Sequence, residues 1–530
     1  MLKKKSISFS KTRLFSKLIC DFIESDSSLQ PFINSFLNMN ALNSKLERKK
    51  DHRTILSDVL KQQYDDTLFL NTDLSVVNNN VSKLSDNSVY TITTGHQLNI
   101  FASPLFLIYK IISVISYANY LNHTLKNVSF VPCFWMASED HDFAEIQSCN
   151  LEGVNYHWEL ETQDCIGNLS SKSLLKTLIK IKKVLYATDY GKELFTIYHF
   201  AYSKNHNYAN ATRSLLTALF GDYGLVIIDG NHSQLKKIFV PHLKCELTDS
   251  FVYKSVSKTN NLLQKKYKPE INPLRDNIFY LFNSIRSKIK FDQKTYFTDH
   301  HAKTWNLNEL LNEINEFPER FSPNVFLRPL YQELIMPNIL YLGGPSEVAY
   351  WIQLKKMFNF RHVDYPLIGL RSHFLILSQR ISALKNKLGL LDEDLFLDHD
   401  NQIKEILTSK SLINMKQELS NFNASLFAFE EKIKFIKGFP IDSFYVFKKR
   451  LENEFNRLEK KVLKYDKIKN KDTVTQIKLI NQAVFPGHYI QERSESFIPY
   501  YIKYGKQFFD ALIKESSIFD NKYIILTEED

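Results

Sequence analysis

The sequence predicts an α/β protein with a parallel-sheet core and a C-terminal antiparallel coiled coil. Short apolar segments typical of buried strands are each followed by a turn and a helical pattern, an order that predicts parallel strands. After residue 410, apolar residues recur at alternating spacings of three and four, which predicts a coiled coil. The chain has 530 residues and is 44% hydrophobic, so it has room for about three domains and is too apolar to be disordered.

Residues 1–160 are predicted to form the N-terminal half of the core. Val89–Thr93 is an apolar strand, and a turn that contains Gly95 follows it. A helical pattern covers residues 105–121, and a second apolar strand spans Val128–Met136. Strand, helix and strand make a βαβ unit, which implies a parallel pair of strands and a right-handed crossover.

Residues 161–300 are predicted to hold one further core strand, Gly224–Asp229, followed by a helix over about 233–250. The flanking stretches, 165–215 and 251–300, have the patterns of helices and a hairpin. We expect these stretches to be insertions between elements of the core.

Residues 301–380 are predicted to form the C-terminal half of the core. Asn338–Leu342 is a short strand that ends at a Gly-Gly turn, and a helix is predicted from about Glu347 to Phe358. Pro366–Arg371 is predicted to be another strand of the same sheet.

Residues 381–530 are predicted to form a helical coiled-coil domain whose last segment returns to the core. The first helix has apolar a and d positions at Leu412, Met415, Leu419, Phe422, Leu426, Phe429, Ile433 and Ile436. The turn 438–440 ends that helix, and a second helix carries Leu451, Phe455, Leu458, Val462 and Tyr465 at heptad spacing. Further aromatic residues leave apolar surface that the hairpin does not cover, so we expect a homodimer.

Composition excludes several classes of protein. The five cysteines form no CxxC pair, which favours a reducing cytoplasm. No uncharged apolar stretch approaches the ~20 residues of a membrane helix, and lysines interrupt the N-terminus where a signal peptide needs its apolar region. The net charge of +10 accompanies a Lys-rich composition, without the basic and aromatic interleaving of a nucleic-acid groove. We therefore expect neither a membrane nor a nucleic-acid partner.

The first candidate site is the turn Gly95-His96-Gln97, between a predicted strand and the next helix. Ligands bind at that edge of an open α/β sheet, and the N–H groups of a helix start favour a phosphate or carboxylate. His96 could donate a proton to such a ligand. The spacing is neither a Walker motif nor GxGxxG, so an ordinary capping turn is the alternative.

The second candidate site is the run Glu139, Asp140, His141 and Asp142, directly after a buried strand. Crowded carboxylates repel one another, so at least one is expected to be paired or to have a shifted pKa. We predict these four as the catalytic residues. A charged loop is the alternative, and contiguous residues of this kind are not a specific metal-ligand spacing, so no metal ligand is assigned.

Two further clusters are candidates for substrate or nucleotide binding. The third follows a predicted strand and is flanked by two arginines; its members are Arg328, Gly343, Gly344, Ser346, Glu347, Tyr350 and Arg371. The fourth, near the C-terminus, contributes Gln491 and Arg493. The alternatives are a capped loop for the third cluster and a helix-start salt bridge for the fourth.

Taken together, the four clusters resemble the cysteine-adding enzyme family of bacillithiol biosynthesis, a family of cysteine ligases. The matching segments occur in the family's order between residues 91 and 505: TTGHQLNIFASPLFLIYK, FWMASEDHDFAEI, RPLYQELIMPNILYLGGPSEVAYWIQLKKMF and FPGHYIQERSESFIPYYIKYG. The chain departs from the family at Ala102-Ser103, where the family has Thr-Gly. We expect this change to affect the loop before Pro104.

The resemblance implies a Rossmann-like core, similar to nucleotidylyltransferases and class I aminoacyl-tRNA synthetases. It also implies connecting-peptide-like insertions and a coiled-coil domain that helps form a homodimer. The implied reaction joins cysteine to the amine of glucosaminyl-malate, with ATP expected to activate the carboxylate. The product released from ATP, AMP or ADP, stays open.

The residue types are compatible with that chemistry. The turn at Gly95 and His96 would hold phosphates, and the carboxylates of the second cluster would hold the ammonium group of cysteine. His141 or Asp142 would be the base, and Arg328 or Arg371 would clamp the malyl carboxylates. Two alternatives remain: a non-catalytic coiled-coil scaffold with a degenerate core, and a metal-dependent hydrolase that uses residues 140–142.

Overall fold

The structure is a computed structural model that describes residues 2–46, 51–299, 303–410 and 415–529. Leu412, the first residue of the predicted heptad series, lies outside these residues. In the described parts of the chain the strands are β1 Leu2–Ser8, β2 Val89–His96, β3 Ser129–Met136, β4 Ser148–Leu151, β5 Val154–His157, β6 Val226–Asp229, β7 Ile278–Phe282, β8 Ile285–Phe291, β9 Tyr296–Thr298, β10 Thr304–Trp305, β11 Phe321–Pro323, β12 Asn338–Gly343, β13 Leu367–Leu370, β14 His373–Leu377 and β15 Lys522–Glu528.

Helices connect and cover these strands. They are α1 Phe9–Thr12, α2 Lys17–Ile23, α3 Met39–Asn43, α4 Arg53–Asp65, α5 Ser75–Lys83, α6 Leu105–Thr124, α7 Phe143–Ile146, α8 Leu174–Leu185, α9 Asp189–Lys204, α10 Tyr208–Phe220, α11 Ser233–Asp249, α12 Phe251–Leu263, α13 Leu307–Glu316, α14 Leu327–Ile335, α15 Pro345–Ile352, α16 Lys355–Phe360, α17 Gln379–Leu388, α18 His399–Lys410, α19 Met415–Lys434, α20 Ile441–Lys469, α21 Lys471–Val484, α22 Gln491–Ser494, α23 Ile498–Tyr504 and α24 Gln507–Glu515.

The core is a five-stranded sheet with the order β13-β12-β2-β3-β6, and every neighbouring pair is parallel. The predicted βαβ unit is confirmed as β2, α6 and β3. Strand β2 is longer than predicted, because Gly95 and His96 continue its pairing with β3 opposite Trp135 and Met136. Both residues therefore end a strand rather than lie in a turn.

Alternate residues of the core strands pack on opposite faces of this sheet. Val131 and Cys133 belong to one apolar cluster, whereas Phe130 and Phe134 belong to the other. Helix α6 covers the second face and is long and apolar enough to cross a membrane by length and composition, a feature that the sequence analysis did not single out. It is a core helix here, since 78% of its most apolar window is buried.

The predicted helix from Glu347 to Phe358 is two helices, α15 and α16. Gln353 ends the first of them, and its side chain is fully buried. The side-chain carbonyl of Gln353 accepts hydrogen bonds from the backbone N–H groups of Glu270 and Ile271, at 3.1 and 3.0 Å. The break thus anchors the inserted segment to the core.

Two further sheets surround the core. Strand β15 lies between β1, which is antiparallel to it, and β14, which is parallel, so both ends of the described chain share one sheet. The predicted hairpin of the insertion belongs to an antiparallel sheet with the order β10-β9-β8-β7-β11. Because β11 pairs with β7, the insertion is joined to the polypeptide that leads into α14.

The predicted antiparallel hairpin is present as α19 and α20, which we call the arm. Phe422 stacks on Phe455, with ring centroids 5.8 Å apart, and Phe429 contacts Phe444 edge-on at 5.9 Å. Leu426 is buried at the seam. The prediction that Leu458 and Tyr465 pack in the seam is wrong, because both side chains are exposed. Other aromatic side chains of the arm are exposed as well: Phe427, Phe435 and Tyr445.

The segment after the arm is fixed to the core by a buried group of ions. Glu492 in α22 accepts two hydrogen bonds from Arg371, at 2.8 and 3.0 Å, and contacts Nδ1 of His373 at 3.0 Å. Burial opposes ionisation of Glu492, but Arg371 outweighs it and holds the pKa of that carboxyl well below its usual range. Burial, reinforced by Arg371, lowers the pKa of His373 to about 4, so its imidazole is neutral at pH 7.

Replacement of Glu492 by Ala should destabilise the fold by about 3–5 kcal/mol at pH 7, because it leaves Arg371 as an uncompensated buried charge. Urea unfolding followed by circular dichroism measures this. The matched control is Glu454→Ala, which removes the exposed pair of Glu454 with Arg457 and should cost less than about 1 kcal/mol.

The Glu492→Ala deficit should also shrink in acid. The folded-state pKa of Glu492 is depressed, so its contribution is present above the ordinary carboxyl pKa and is lost as the pH falls toward the folded-state value. Equal stabilities of the Glu492→Ala and Glu454→Ala variants at pH 7 would contradict the structural role of the buried group.

Candidate active site

The carboxyl ends of the core strands open into one cleft with a volume of about 750 Å³. The strand order reverses between β2 and β12, and the cleft lies at this switch point, where ligands bind in open parallel sheets. Gly95 and His96 of β2 and Gly344, directly after β12, all line it. The first and third clusters of the sequence therefore contribute residues to one cleft.

Gly95 occupies a place with little room for a side chain. A Cβ atom there would lie 3.3 Å from the carbonyl oxygen of Trp135 and 3.6 Å from Nη1 of Arg328. Such contacts are tighter than an ordinary Cβ makes with a carbonyl oxygen. Glycine thus allows β3 and Arg328 to approach the end of β2.

Lys110, which the sequence analysis did not identify, holds the switch point together. It lies in α6, and its buried ammonium group is 2.5 Å from Oε2 of Glu347 and 2.9 Å from the carbonyl oxygen of Gly95. Burial opposes ionisation of Glu347, but Lys110 outweighs it and lowers the pKa of that carboxyl to about 2. The only sequence signal was a lysine within an otherwise apolar helix.

Glu347 also organises the start of α15. Its carboxylate accepts hydrogen bonds from the backbone N–H of Gly344, at 2.8 Å, and from the hydroxyl of Tyr341, at 2.7 Å. Gly344 rather than Ser346 is the cap residue of this helix, and Glu347 binds its N–H group. Ser346 instead lies exposed at the lining of the cleft.

His96 lines the cleft and keeps one ring N–H group unpaired among the described residues. Its Nδ1 lies 3.4 Å from the Lys110 ammonium, which can only donate, so Nδ1 is the acceptor and Nε2 carries the proton. Burial, with the Lys110 charge beside it, lowers the pKa of His96 well below its usual value. Within the described residues, the buried Nε2 atom has no hydrogen-bond partner. His96 is therefore a neutral residue with an unused N–H group.

Two arginines lie next to His96. The guanidinium of Arg328 donates to Gln332 at 3.0 Å and to the hydroxyl of Tyr350 at 3.3 Å, and it forms no ion pair with any described carboxylate. The terminal nitrogens of Arg371 bind Glu492, whereas its buried Nε has no partner among the described residues and lies on the Gly344 side of the cleft. The three side chains thus offer donors to an anion.

The opposite part of the cleft contains two of the four predicted catalytic residues. Glu139 pairs closely with Lys236, a buried lysine of α11 that the sequence analysis missed. Asp140 accepts a hydrogen bond from Gln97 at 2.7 Å and lies 3.7 Å from Arg286. Burial opposes ionisation of Asp140, but hydrogen bonds from His141 and Gln97 outweigh it and hold the pKa of that carboxyl well below its usual range.

His141 and Asp142, the other two residues predicted to be catalytic, do not line the main cleft. Both are exposed, and neither is part of the lining. The carboxylate of Asp140 accepts the backbone N–H of His141 at 2.8 Å. His141 faces Arg286 and the ring of Phe279 at the outer rim.

Of the remaining residues predicted to bind substrate or nucleotide, some line the cleft and others do not. Gly343 packs under the side chain of Glu347 and does not line the cleft, whereas Tyr350 and Arg493 do. Gln491 is buried away from the cleft, because its amide binds the backbone N–H and carbonyl of Ile376 at 2.9 Å each. Its role is therefore to attach α22 to β14.

Within the part of the chain that the structure describes, no group of three His, Cys, Asp or Glu side chains could hold a metal ion. The hydrolase alternative thus has no ligand set to support it there.

One carboxylate that the sequence did not indicate, Asp276, lines the cleft on the inserted segment. Burial raises the pKa of Asp276 above its usual value.

Fold and cleft together define a Rossmann-like α/β protein with a cleft at the switch point of its parallel sheet and a C-terminal coiled-coil arm. Residues 2–372 match the family domain described as bacillithiol biosynthesis BshC, N-terminal Rossmann-like domain. Residues 374–528 match the C-terminal coiled-coil domain of the same family. The chain belongs to the bacillithiol biosynthesis BshC family, which confirms the resemblance found in the sequence.

Relatives match the chain along its whole length. The protein named putative cysteine ligase BshC in Flavobacterium johnsoniae is 33% identical over 98% of this chain and 99% of its own. Its namesake in Flavobacterium psychrophilum is 33% identical over 96% of each chain, and that of Bacillus mycoides is 25% identical over 96% of this chain and 97% of its own. A solved structure titled putative arginyl tRNA synthetase, from Campylobacter jejuni, overlaps 88% of this chain and 92% of its own at 10% identity and a TM-score of 0.23, too low to support any argument.

The placement of the second cluster predicts a division in mutant activity. Asp142→Asn should retain at least about half of the wild-type turnover, because this exposed side chain lies outside the cleft. Asp140→Asn should lower turnover at least about tenfold, since it removes the ionised carboxylate bound to Gln97. Product formation under saturating substrate, with thermal melting as a check on folding, measures this. Loss of activity in Asp142→Asn with unchanged melting would contradict the assignment.

Proposed function

We propose that this chain is an ATP-dependent ligase that joins the carboxyl group of cysteine to the amine of glucosaminyl-malate through an amide bond. Membership of the BshC family and the names of its relatives support a cysteine ligase. The observation that carries the ATP assignment is a group of donors at the switch point. Nε2 of His96 and Nε of Arg371 have no partner among the described residues, and the nearby guanidinium of Arg328 pairs with no described carboxylate. Such donors suit phosphate oxygens.

Amide formation in water needs an activated carboxylate. The carboxylate oxygen of cysteine attacks a phosphorus atom of ATP and expels either ADP or pyrophosphate, which gives an acyl-phosphate or an acyl-adenylate. The amine then attacks the acyl carbon, loses one proton and expels phosphate or AMP. In this proposal His96, Arg328 and Arg371 hold the phosphates and balance the charge that develops on them.

The carboxylate side of the cleft suits the ammonium group of cysteine. Asp140 has a depressed pKa and stays ionised, so it can pair with a cation at neutral pH. Glu139 has one carboxylate oxygen on Lys236 and the other available for a ligand. We assign the cysteine ammonium group to these two residues.

The base is reassigned, because His141 and Asp142 lie outside the cleft. Asp276 lines the cleft, and burial raises its pKa toward the range in which a carboxylate can accept a proton from an amine. We assign this role to Asp276.

The malyl carboxylates are assigned to Lys288 and Arg493, which line the cleft and pair with no described carboxylate, because the terminal nitrogens of Arg371 are already bound to Glu492.

The direct test is mass spectrometry of purified protein incubated with cysteine and glucosaminyl-malate, with and without ATP. We expect a product with the summed mass of the two substrates minus one water, formed only when ATP is present. Arg328→Met should lower kcat/KM for ATP at least about tenfold, since one bidentate charge contact is lost. Arg361→Met, an arginine outside the cleft lining, is the control and should stay near wild type.

Each other outcome has a defined meaning. Product without ATP would contradict ATP activation but keep the ligase. No product under any condition, with ATP still bound, would favour the non-catalytic scaffold. Equal kinetics of Arg328→Met and wild type would contradict the phosphate site.

We further propose that the protein is a cytoplasmic homodimer that associates through the arm. The five cysteines are free, as expected in a reducing compartment. The side chains of Phe427 and Phe435 on the arm are 60% and 88% exposed, and large exposed apolar side chains on one element favour an association surface.

Replacement of both Phe427 and Phe435 by Glu should convert the dimer to a monomer, because charges would be placed in an apolar interface. Light scattering at micromolar concentration measures the mass. Phe422 and Phe429 are unsuitable for this test, since their rings pack within the hairpin. Ile179→Glu, an exposed apolar position on α8, is the control. A monomeric wild type would contradict the dimer.

A further inference from the structure

The cleft has an apolar lip formed by Ile271, Leu274 and Val325. All three line the cleft, and the side chains of Leu274 and Val325 are 50% and 39% exposed. Burying these side chains on folding would have been favourable, yet the fold leaves them open inside a concave site. Apolar side chains in such a position contact the apolar part of a ligand.

The lip is held on a rigid framework. The side-chain amide of Asn277 donates to the carbonyl oxygen of Leu274 at 2.9 Å, and that of Asn324 donates to Oδ1 of Asn277 at 2.7 Å. The backbone N–H of Asn324 also donates to the carbonyl oxygen of Asn277 at 3.1 Å. Both asparagines are buried. Leu274 and Val325 are therefore fixed on either side of one buried amide pair.

The lip lies beside the cationic end of the cleft. The backbone N–H of Arg328 donates to the carbonyl oxygen of Asn324 at 2.9 Å, so Val325 and Arg328 are within one turn of the same chain segment. The backbone N–H of Ile271 donates a hydrogen bond to Gln353 at the C-terminal end of α15. The N-terminal end of α15 lies at Gly344, beside the switch point. An apolar surface thus adjoins donors for an anion.

We propose that this lip is the nucleobase subsite, an inference that rests on the proposed use of ATP. The base lies against Leu274 and Val325, and the phosphates extend toward Arg328 and His96. A nucleotide matches the cleft because it carries a flat, largely apolar ring at one end and several negative charges at the other. An apolar lip would have no function toward inorganic phosphate or toward the ammonium and carboxylate groups of the other substrates.

The polar groups of the framework are already occupied. Oδ1 of Asn324 accepts the backbone N–H groups of Phe326 and Leu327, at 3.0 and 3.1 Å, and the amide of Asn277 donates to Glu246 at 2.8 Å. The framework therefore supplies contact area rather than hydrogen bonds to the edge of the base. Its effect is on affinity for the nucleoside part of the ligand.

Calorimetry with two ligands tests this subsite: ADP, which has a base, and tripolyphosphate, which has none. Leu274→Asn and Val325→Thr keep the side-chain size and remove the apolar surface. Each should raise the Kd for ADP about tenfold, which corresponds to about 1.4 kcal/mol. The Kd for tripolyphosphate should stay within about twofold of wild type. Leu68→Asn, a leucine of the same 50% exposure outside the cleft, is the matched control and should change neither value.

The outcomes separate this inference from the proposed function. Equal affinity of wild type and both variants for ADP overturns the inference and leaves ATP use intact. A parallel loss of tripolyphosphate affinity also overturns it, because the lip would then only support the phosphate site. A rise in KM for glucosaminyl-malate without a change in ADP binding assigns the lip to the sugar and overturns it. Absence of any ADP binding by wild type overturns the inference, whereas the use of ATP is decided separately by product formation with and without ATP.

Discussion

The buried ion pair between Lys110 and Glu347 is the interaction on which the rest of the cleft depends. Lys110 comes from the crossover helix between β2 and β3, and Glu347 comes from the helix after β12, so the pair connects both sides of the switch point. Because isolated charges are costly in the interior, each ion keeps the other in place. The same ammonium group holds the end of β2 and leaves Nε2 of His96 as the protonated nitrogen.

A cleft with distinct ends follows from this arrangement. Donors without partners gather around the switch point, carboxylates with fixed charge lie after β3, and the inserted segment adds an apolar lip. The arm also contributes, although it is far from the cleft in sequence: the chain that leaves it carries Glu492, which binds the terminal nitrogens of Arg371 and leaves Nε unused. The C-terminal domain thus fixes a side chain of the Rossmann-like domain.

Local sequence was sufficient to predict the core strands, because short runs of apolar residues that end at Gly or Asp are typical of buried strands. It was sufficient for the arm hairpin because apolar residues recur at heptad spacing on both sides of a turn. Local sequence failed where an ion-pair partner is distant in the chain. Nothing in the sequence around Lys110 or Lys236 indicates which carboxylate it binds. Proximity in sequence also gave a wrong prediction for two catalytic candidates. His141 and Asp142 follow Asp140 directly in the chain, but they project outward, and the Asp140 carboxylate binds the His141 backbone N–H. The helix break at Gln353 likewise depends on an inserted segment.

The central claim is that the switch point binds phosphate through the unused donors of His96 and its neighbours. A crystal structure with a non-hydrolysable ATP analogue and cysteine tests it most directly. The account predicts a phosphate oxygen about 3 Å from Nε2 of His96, with Arg328 beside it. Phosphates bound elsewhere on the protein, with Nε2 of His96 still without a partner, would contradict it.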